Sequence, residues 1–425
     1  MESLHLTKTF ETLIPLTLMT TFLELLNIVE DMHAIFVDAN PYVIRWINRP
    51  SKKIQIIAIS KDQTLIRYIT EPSESLQILA INFMSESLLY IKNPTEMVQL
   101  MAMRTNGELI KFIKDPTEAV QLTAVTADPS KFIIKHIKNP TETVQVIAVI
   151  LDSTVDNEAL KCLDKPCELA IIASKPSNDH LLSLYTKHPE RAEEFNKIIN
   201  DPESIAQIEN PSEDFQIIAV CTDSLSVRFI ENPTDLVQII SLKNGNGSTA
   251  NLIKNPIKAV QMIAIRFCGY NLGAINNPDP QLLKATVVRD GKLLLGISHP
   301  TEFIQKLALY HDGHIIQYIR NPSVELQLIA VNRHPAAIVF IKCPSEEVQL
   351  AAVSINGDVI QYIDDPSDLV QYAAVSNYEY AIHHIKKPSK AVQQLSHDQV
   401  FNPEPMTQDM VSSFLSAIVE SKKLN

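Results

Sequence analysis

Apolar and polar residues recur along this chain in short blocks with a helical period. One block, KDPTEAVQLTAV at residues 114–125, returns with little change as KCPSEEVQLAAV at residues 342–353. In each block a proline is followed by an apolar residue four positions later and by a small residue eight positions later. Positions four apart share a helix face, so the pattern predicts one amphipathic helix per block.

Sixteen prolines mark a common register along the chain, with steps of 22 to 26 residues between neighbours. A period this constant predicts an α-solenoid, in which each unit contacts mainly its neighbours, and not several separate globular domains. The register prolines are Pro50, Pro72, Pro94, Pro116, Pro140, Pro166, Pro189, Pro211, Pro233, Pro256, Pro278, Pro300, Pro322, Pro344, Pro366 and Pro388.

The start of each unit has the chemistry of a helix N-terminus. In Asn93-Pro94-Thr95-Glu96 the asparagine is the expected N-cap, the proline the first helical residue, and the glutamate the acid of a capping box. We therefore expect a helix of about eleven residues to begin at each register proline. A glycine nine residues before the next proline is expected to end it in a left-handed cap. These glycines are Gly107, Gly247, Gly269, Gly291, Gly313 and Gly357.

A second, shorter segment follows in each unit. Its apolar residues are three apart, as in Ile66 with Ile69 and Ile110 with Ile113. This spacing predicts one or two turns of α or 3₁₀ helix. The fold class is therefore an all-α solenoid, right- or left-handed, of about sixteen two-helix repeats with terminal caps. At roughly 8 to 10 Å per helix, the units would form a curved rod about 130 to 160 Å along its path.

A glutamine follows the register proline by five residues in thirteen units. At about 100° per residue it lies between the apolar residues of the inward face. A buried amide must be paired, so we expect these side chains to bond backbone groups of the turns; a ligand-lining groove is the alternative. The glutamines are Gln55, Gln77, Gln99, Gln121, Gln145, Gln216, Gln238, Gln261, Gln305, Gln327, Gln349, Gln371 and Gln393.

The short segments carry an aromatic residue or histidine four positions before the proline, often preceded by a cation. Aromatic rings with basic neighbours are typical of single-stranded nucleic-acid binders. Alternatively, the rings wedge between adjacent short helices while the charges compensate helix ends. The candidate binding edge comprises Arg45, Trp46, Arg67, Tyr68, Lys111, Phe112, Lys135, His136, Arg228 and Phe229.

The register divides the chain into five parts. Residues 1–38 are expected to form an N-terminal helical cap, and residues 39–149 regular repeats. Residues 150–210 hold irregular repeats, which would bend the solenoid or present a surface to a partner. Residues 211–395 are regular again, and residues 396–425 are expected to form a C-terminal capping helix.

The repeat also resembles a known class. A helix opening with Asn-Pro-Thr-Glu and containing Val-Gln-Leu, then Asn106-Gly107, then Ile110 and Ile113, is similar to short tandem α-helical repeats of unknown function. Those repeats occur in large tailed phages, giant viruses and some bacteria. The resemblance covers about residues 40–395, and it implies an α-solenoid of viral or phage origin. It supplies no catalytic residues.

Composition limits the function further. The net charge of −12 disfavours a general nucleic-acid binder. Five cysteines without a CxxC motif fit a reduced, cytoplasmic protein without disulfides or zinc. The apolar N-terminal stretch is interrupted by acids and reads as neither a signal peptide nor a membrane span.

No catalytic motif is present, and we expect no catalytic residue, cofactor or metal site. The histidine pairs His383 with His384 and His311 with His314 have no acid or thiol at ligand spacing. We therefore interpret the chain as a non-enzymatic scaffold for a macromolecule, foremost a protein, and a host protein if the phage resemblance holds. Single-stranded nucleic acid along the basic and aromatic edge is one alternative, and a structural role in a particle is another. Oligomeric state is not indicated.

Overall fold

The computed structural model describes residues 30, 32–129, 132–152, 157–245, 247–268, 278–390 and 392–394. The protein is all-α and 72% helical, with no strand in these ranges. Regular α-helices alternate with 3₁₀ helices, and neighbouring pieces contact one another, which confirms the helical-repeat solenoid. The chain forms two compact units, unit 1 at residues 1–289 and unit 2 at residues 290–425.

Within the described ranges, seventeen α-helices follow the short helical stretch of residues 32–39. They are α1 (Lys52–Lys61), α2 (Glu74–Phe83), α3 (Glu96–Thr105), α4 (Glu118–Ala127), α5 (Glu142–Leu151), α6 (Glu158–Lys161), α7 (Glu168–Ser174), α8 (Ser177–Lys187), α9 (Ala192–Asn200), α10 (Glu213–Thr222), α11 (Asp235–Asn244), α12 (Lys258–Cys268), α13 (Pro280–Val287), α14 (Glu302–His311), α15 (Val324–Arg333), α16 (Glu346–Ile355) and α17 (Asp368–Asn377).

The short segments are 3₁₀ helices, most of them six residues long. They span Pro41–Trp46, Gln63–Tyr68, Ser85–Tyr90, Gly107–Phe112, Ile133–His136, Pro189–Arg191, Pro202–Gln207, Ser224–Phe229, Ser248–Leu252, Gly291–Gly296, Gly313–Tyr318, Pro335–Phe340, Gly357–Tyr362 and Glu379–His384.

The regular α-helices begin two residues after the register proline, so the expected start at the proline is wrong. Thr95, and not Asn93, caps α3: its hydroxyl accepts the backbone N–H of Val98 at 3.4 Å. Proline carries no N–H and the residue before it is disfavoured in the α region, so Pro94 lies in the approach to the helix. The ordinary repeat helix is ten residues long as a result.

The cap residue also joins neighbouring repeats. The hydroxyl of Thr117 donates to Glu96 at 2.7 Å, and that of Thr141 donates to Glu118 at 2.8 Å. The acid at the first turn of one helix therefore accepts a hydrogen bond from the cap of the next. The expected reciprocal capping box within one helix is replaced by a row of hydrogen bonds between successive repeats. These bonds form only when the repeats stack.

Left-handed backbone occurs at a different place from the one expected. Among the described glycines only Gly247 has a positive φ, at 83°, so the remaining described glycines are not left-handed caps; Gly269 lies outside the described residues. Non-glycine residues directly before a register proline take this conformation instead. They are Arg49, Glu71, Asp115, Asn210, Asn321, Cys343 and Asp365, with φ between 48° and 54°.

Four glycines, Gly107, Gly291, Gly313 and Gly357, begin 3₁₀ helices and lie against the following α-helix. A Cβ on Gly107 would meet the carbonyl oxygen of Ala124 at 2.6 Å. The asparagine before it, Asn106, accepts the backbone N–H of Glu108 at 3.1 Å and so caps the 3₁₀ helix. Ser85 and Pro335 occupy the same register in other repeats, so the fold does not require glycine at this position in every repeat.

The core of each repeat follows the predicted periodicity. Val120 and Ala124, four and eight residues after Pro116, are fully buried, and Ile110 from the preceding 3₁₀ helix is 1% exposed. Small alanine side chains let adjacent helices approach closely. Each repeat thereby buries its apolar face against its neighbours.

Unit 1 folds back on itself. Besides neighbouring contacts, α4 packs against α13, α5 against α12, α7 against α11, and α8 against α10. The chain thus runs outward through α1 to α7 and returns through α10 to α13, with the reversal among the irregular repeats. A simple curved rod does not describe this unit, because helices more than 100 residues apart share a core.

Charged side chains join the outgoing and returning repeats of unit 1. Lys258 Nζ forms an ion pair with Glu118 and lies 3.0 Å from Asp279 Oδ1. Lys284 Nζ lies 2.7 Å from Glu96 Oε2. Lys258 stands two residues after its register proline, where most repeats place an acid.

In unit 2, α14 packs against α15, α15 against α16, and α16 against α17, with the 3₁₀ helices alongside. The expected C-terminal cap, residues 396–425, lies outside the described residues. Of the expected N-terminal cap, residue 30 and residues 32–38 are described, and they are helical.

Candidate functional site

The candidate binding edge lies on the 3₁₀ helices. At about 120° per residue, Ile66 and Ile69 point to the same side and are buried, so Arg67 and Tyr68 between them project outward. The same register places Trp46 and Phe112 at the ends of their own 3₁₀ helices. The local helix type therefore determines that a cation and a ring face solvent together.

The rings of this edge are exposed to different degrees. Trp46 is 67% exposed, Phe112 57% and Tyr68 44%. Tyr90 and His136, in the same register, are half-buried. One interpretation of the sequence places these rings as wedges between adjacent short helices. The most exposed rings do not occupy such positions. We call Trp46, Tyr68, Tyr90, Phe112 and His136, with their neighbouring cations, the aromatic edge.

Cations cover several of the ring faces. The guanidinium carbon of Arg45 lies 3.8 Å from the centre of the Trp46 ring, and that of Arg67 lies 3.9 Å from the centre of the Tyr90 ring. Lys111 Nζ lies 5.1 Å from the centre of the Phe112 ring. The Arg67 contact crosses from one repeat to the next, so the 3₁₀ helices are also held together by cation–π stacking.

The last positions of the edge are electrostatically distinct. Burial lowers the pKa of His136, and the charges of Lys135 and Lys111 lower it further. His136 is therefore neutral at pH 7, while the lysines keep the surface positive. Phe229 lies in the same register on the returning repeats, with Arg228 4.5 Å over its ring. Arg228 also pairs with Glu203 at 2.9 Å, which reduces its positive charge towards a ligand.

The equivalent register of unit 2 has exposed apolar residues without the cations. Tyr318 is 55% exposed, Tyr362 48% and Phe340 42%, and the residues before them are Gln317, Gln361 and Val339. The combination of rings and cations is therefore a property of the edge in unit 1.

The glutamine row serves the backbone. In all thirteen repeats Nε2 donates to the carbonyl of the register proline of the same repeat, at 2.7 to 3.1 Å. In four of them, Gln121, Gln145, Gln238 and Gln371, Oε1 also accepts an N–H at the start of the next repeat. These contacts indicate that the glutamines stabilise the backbone of the repeats.

Three arginines of unit 1 surround a cavity of about 180 Å³ between the outgoing and returning repeats. Arg266 donates to the carbonyl of Thr126 at the C-terminal end of α4, while Arg104 lies in the last turn of α3. Burial and the charge of Arg289 lower the pKa of Arg266 to about 10. Positive charge at helix C-termini offsets the helix dipoles, which explains the cluster without a ligand.

Sequence reasoning missed a second cluster, in unit 2. Asp312 lies 3.0 Å from His314 and 3.1 Å from His334, measured between Oδ1 and each Nδ1. His334 comes from the next repeat, at the same register as Asp312. Comparison of register positions between adjacent repeats, and not within one segment, would have found it.

A scan of protein-family models, a search of curated proteins and a search of solved structures each found no match to this chain. The resemblance to phage and viral repeats therefore rests on the sequence pattern alone. Within the ranges that the structure describes, no helix is long and apolar enough to cross a membrane.

Proposed function

We propose that this chain is a non-enzymatic binding scaffold whose aromatic edge recognises an acidic segment of another protein. The carrying observation is the exposure of Trp46, Tyr68 and Phe112 at one register of the repeat, each beside a cation. Large aromatic rings lose little conformational entropy on binding, and they are the usual anchors of protein interfaces, especially beside arginine.

Charge supports an acidic partner. Arg45, Arg67, Lys111 and Lys135 are exposed next to the rings, and a second row, Lys92, Lys114 and Lys138, is exposed two residues before the prolines. Against an overall charge of −12, this surface is locally positive. Complementary charge would steer an acidic segment to it and fix its register.

The ring geometry favours a protein over single-stranded nucleic acid. Bases bind such proteins by stacking on exposed ring faces. Arg45 and Arg67 already occupy faces of Trp46 and Tyr90 at 3.8 and 3.9 Å. A protein segment can contact the guanidinium groups and ring edges without displacing them. If the phage and viral resemblance holds, the partner is a host protein.

The test compares partners captured from a cell lysate by three immobilised forms of the full chain, identified by mass spectrometry. These are the wild type, the triple variant Trp46→Ala/Tyr68→Ala/Phe112→Ala, and the control Phe83→Ala. Phe83 is 58% exposed but is the last residue of α2 and is not one of the residues of the aromatic edge. Far-UV circular dichroism establishes that the variants fold.

We expect acidic proteins that the wild type and Phe83→Ala retain and the triple variant loses, with retention falling as salt is raised. Nuclease treatment of the lysate separates the alternative, because partners held through RNA or DNA would then be released. If no protein distinguishes the triple variant from the control, the edge is not the binding surface and the proposal fails.

A further inference from the structure

Three side chains with metal-ligating atoms converge in unit 2. Asp312 precedes the 3₁₀ helix Gly313–Tyr318, His314 is the second residue of that helix, and His334 precedes the next one, Pro335–Phe340. One ligand atom from each lies within 4.8 Å of the other two. The carboxylate oxygen is central, at 3.0 and 3.1 Å from the two Nδ1 atoms.

The repeat geometry holds these groups in place. Asp312 caps the 3₁₀ helix by accepting the backbone N–H of His314 at 3.0 Å. Stacking of the next repeat brings His334 beside it, so the two imidazole rings lie with centres 4.7 Å apart and planes 30° apart. The carboxylate and both rings are therefore oriented by elements of the fold, as a preorganised ligand set requires.

A donor and an acceptor both approach the Nδ1 atom of His334. In the tautomer in which the backbone N–H of Gly313 donates to His334 Nδ1 at 3.1 Å, this nitrogen carries a lone pair. Asp312 Oδ1 lies 3.1 Å from the same nitrogen and is then a second acceptor beside it, which is unfavourable. A proton on Nδ1 would satisfy Asp312 but oppose the N–H of Gly313. A divalent ion between oxygen and nitrogen replaces the repulsion with two coordinate bonds, at the loss of one neutral hydrogen bond.

The ligand types suit a metal ion. A carboxylate and an unprotonated imidazole are the forms in which aspartate and histidine bind metals.

We propose that Asp312, His314 and His334 bind one divalent transition-metal ion of the Zn²⁺ class. Two imidazole nitrogens and one carboxylate oxygen are ligands of intermediate hardness, which suit Zn²⁺. Ca²⁺ and Mg²⁺ prefer sites made of oxygen ligands alone, so this set does not suit them. Tetrahedral bonds of about 2.0 to 2.2 Å place ligand atoms about 3.3 Å apart, so the oxygen-to-nitrogen spacings need to open by only a few tenths of an ångström.

The site is open to solvent. The three side chains are between 32% and 42% exposed, which gives the ion a path and leaves a coordination position for water or for a side chain of a partner. Two repeats further on, the equivalent positions hold Asn356, Asp358 and Tyr378, which do not form a comparable ligand set. Among the described residues, this pair of repeats is the one that brings three such ligand atoms together.

The test titrates the full chain with ZnCl₂ by isothermal calorimetry, after alkylation of the thiols. We compare the wild type with Asp312→Asn, His314→Gln and His334→Gln, and use His384→Gln as the control. Asn is chosen at 312 because Asn356 caps the equivalent 3₁₀ helix, accepting the N–H of Asp358 at 3.0 Å. His384 contacts Asp358 at 3.1 Å and is not part of the cluster.

We expect one equivalent of Zn²⁺ on the wild type and on His384→Gln. Loss of even an outer-shell partner weakens metal binding about 10- to 100-fold, so each of the three ligand variants is expected to lose at least that much. Substitution of Co²⁺ should give a visible spectrum without a thiolate charge-transfer band. The proposal is overturned if the wild type takes up no ion, if the three variants bind as the wild type does, or if the cobalt spectrum shows thiolate ligation.

Discussion

The amide of Gln238 offers the sharpest test of what stabilises the repeats. This side chain is 3% exposed and makes three backbone contacts. Its Nε2 donates to the carbonyls of Pro233 at 3.1 Å and Asn255 at 3.3 Å, and its Oε1 accepts the N–H of Ile257 at 2.9 Å. The substitution Gln238→Leu keeps the approximate volume and removes all three contacts.

The expected cost follows from the groups left behind. A buried backbone group without a partner costs about 1 to 3 kcal/mol, and the Pro233 carbonyl and the Ile257 N–H each lose their side-chain partner. We set this cost of about 2 to 6 kcal/mol against about 1 to 2 kcal/mol gained by burying hydrocarbon in place of an amide. The net destabilisation expected for Gln238→Leu is therefore about 0 to 5 kcal/mol, with a midpoint of about 2.5 kcal/mol.

Gln216 provides the matched comparison in the same unit. It is 6% exposed and donates to the carbonyl of Pro211 at 2.8 Å, but its buried Oε1 has no hydrogen-bond partner among the described residues. Leucine here removes one hydrogen bond together with one unsatisfied oxygen. These effects nearly cancel, so Gln216→Leu is expected to change stability by no more than about 1 kcal/mol.

Urea unfolding followed by far-UV circular dichroism measures both variants, and hydrogen exchange with mass spectrometry locates the effect. Gln238→Leu should lower the urea midpoint well below that of Gln216→Leu and reduce protection of the peptide containing the amide of Ile257. Equal midpoints for the two variants, or unchanged protection at Ile257, would refute the assignment of the amides to backbone pairing.

Three further outcomes follow from the structure. Cys343→Gly should raise stability by up to about 1 kcal/mol, because exposed Cys343 has φ 48° and glycine accepts this conformation without strain; thermal unfolding measures it. Lys258→Glu should cost about 2 to 4 kcal/mol, since it sets two carboxylates against each other at Glu118, and urea unfolding measures the loss. Burial, then the charge of Lys175, lowers the pKa of His180 below its ordinary 6.5. The unfolded chain therefore binds a proton at higher pH than the folded one, so this contribution to stability is complete above pH 6.5 and is lost as pH falls through the folded pKa. Urea midpoints measured against pH test this.

Each of these has its own control. Asn321→Gly should gain less than Cys343→Gly, because asparagine already tolerates its φ of 48°; an equal gain would contradict the strain argument. The double variant Glu118→Lys/Lys258→Glu should recover part of the lost stability, and no recovery would mean that the ion pair is not the cause. His180→Gln should flatten the pH dependence below 6.5; a profile unchanged by this substitution would rule out His180 as its origin.

Local signals in the sequence predicted the repeat well and its boundaries less well. The positions of Val120, Ala124 and Gln121 follow from the helical period, and the structure buries all three. The sequence predicts a helix start two residues too early because Asn-Pro resembles a cap and first turn, whereas the hydroxyl residue after the proline is the cap in the structure. Glycine was assigned to left-handed turns that Asp115 and its equivalents adopt instead.

Only part of the candidate edge could be predicted from the sequence. Its register and its residues were in the sequence, but the exposure of Trp46 and the position of Arg67 over the Tyr90 ring depend on how successive 3₁₀ helices stack. The cluster of Asp312, His314 and His334 was missed because two of its members belong to one repeat and the third to the next.

The sequence by itself determined the period, the alternation of a longer helix with a short helical segment, and the buried face, since these depend on residues within one unit and its immediate neighbours. The tertiary structure alone decided that unit 1 folds back, because the ion pairs of Lys258 with Glu118 and of Lys284 with Glu96 join residues 140 and 188 positions apart. A short-range period carries no information about which distant repeats meet. That choice is seen only in the helix contacts and in the complementary charges where the outgoing and returning helices pack.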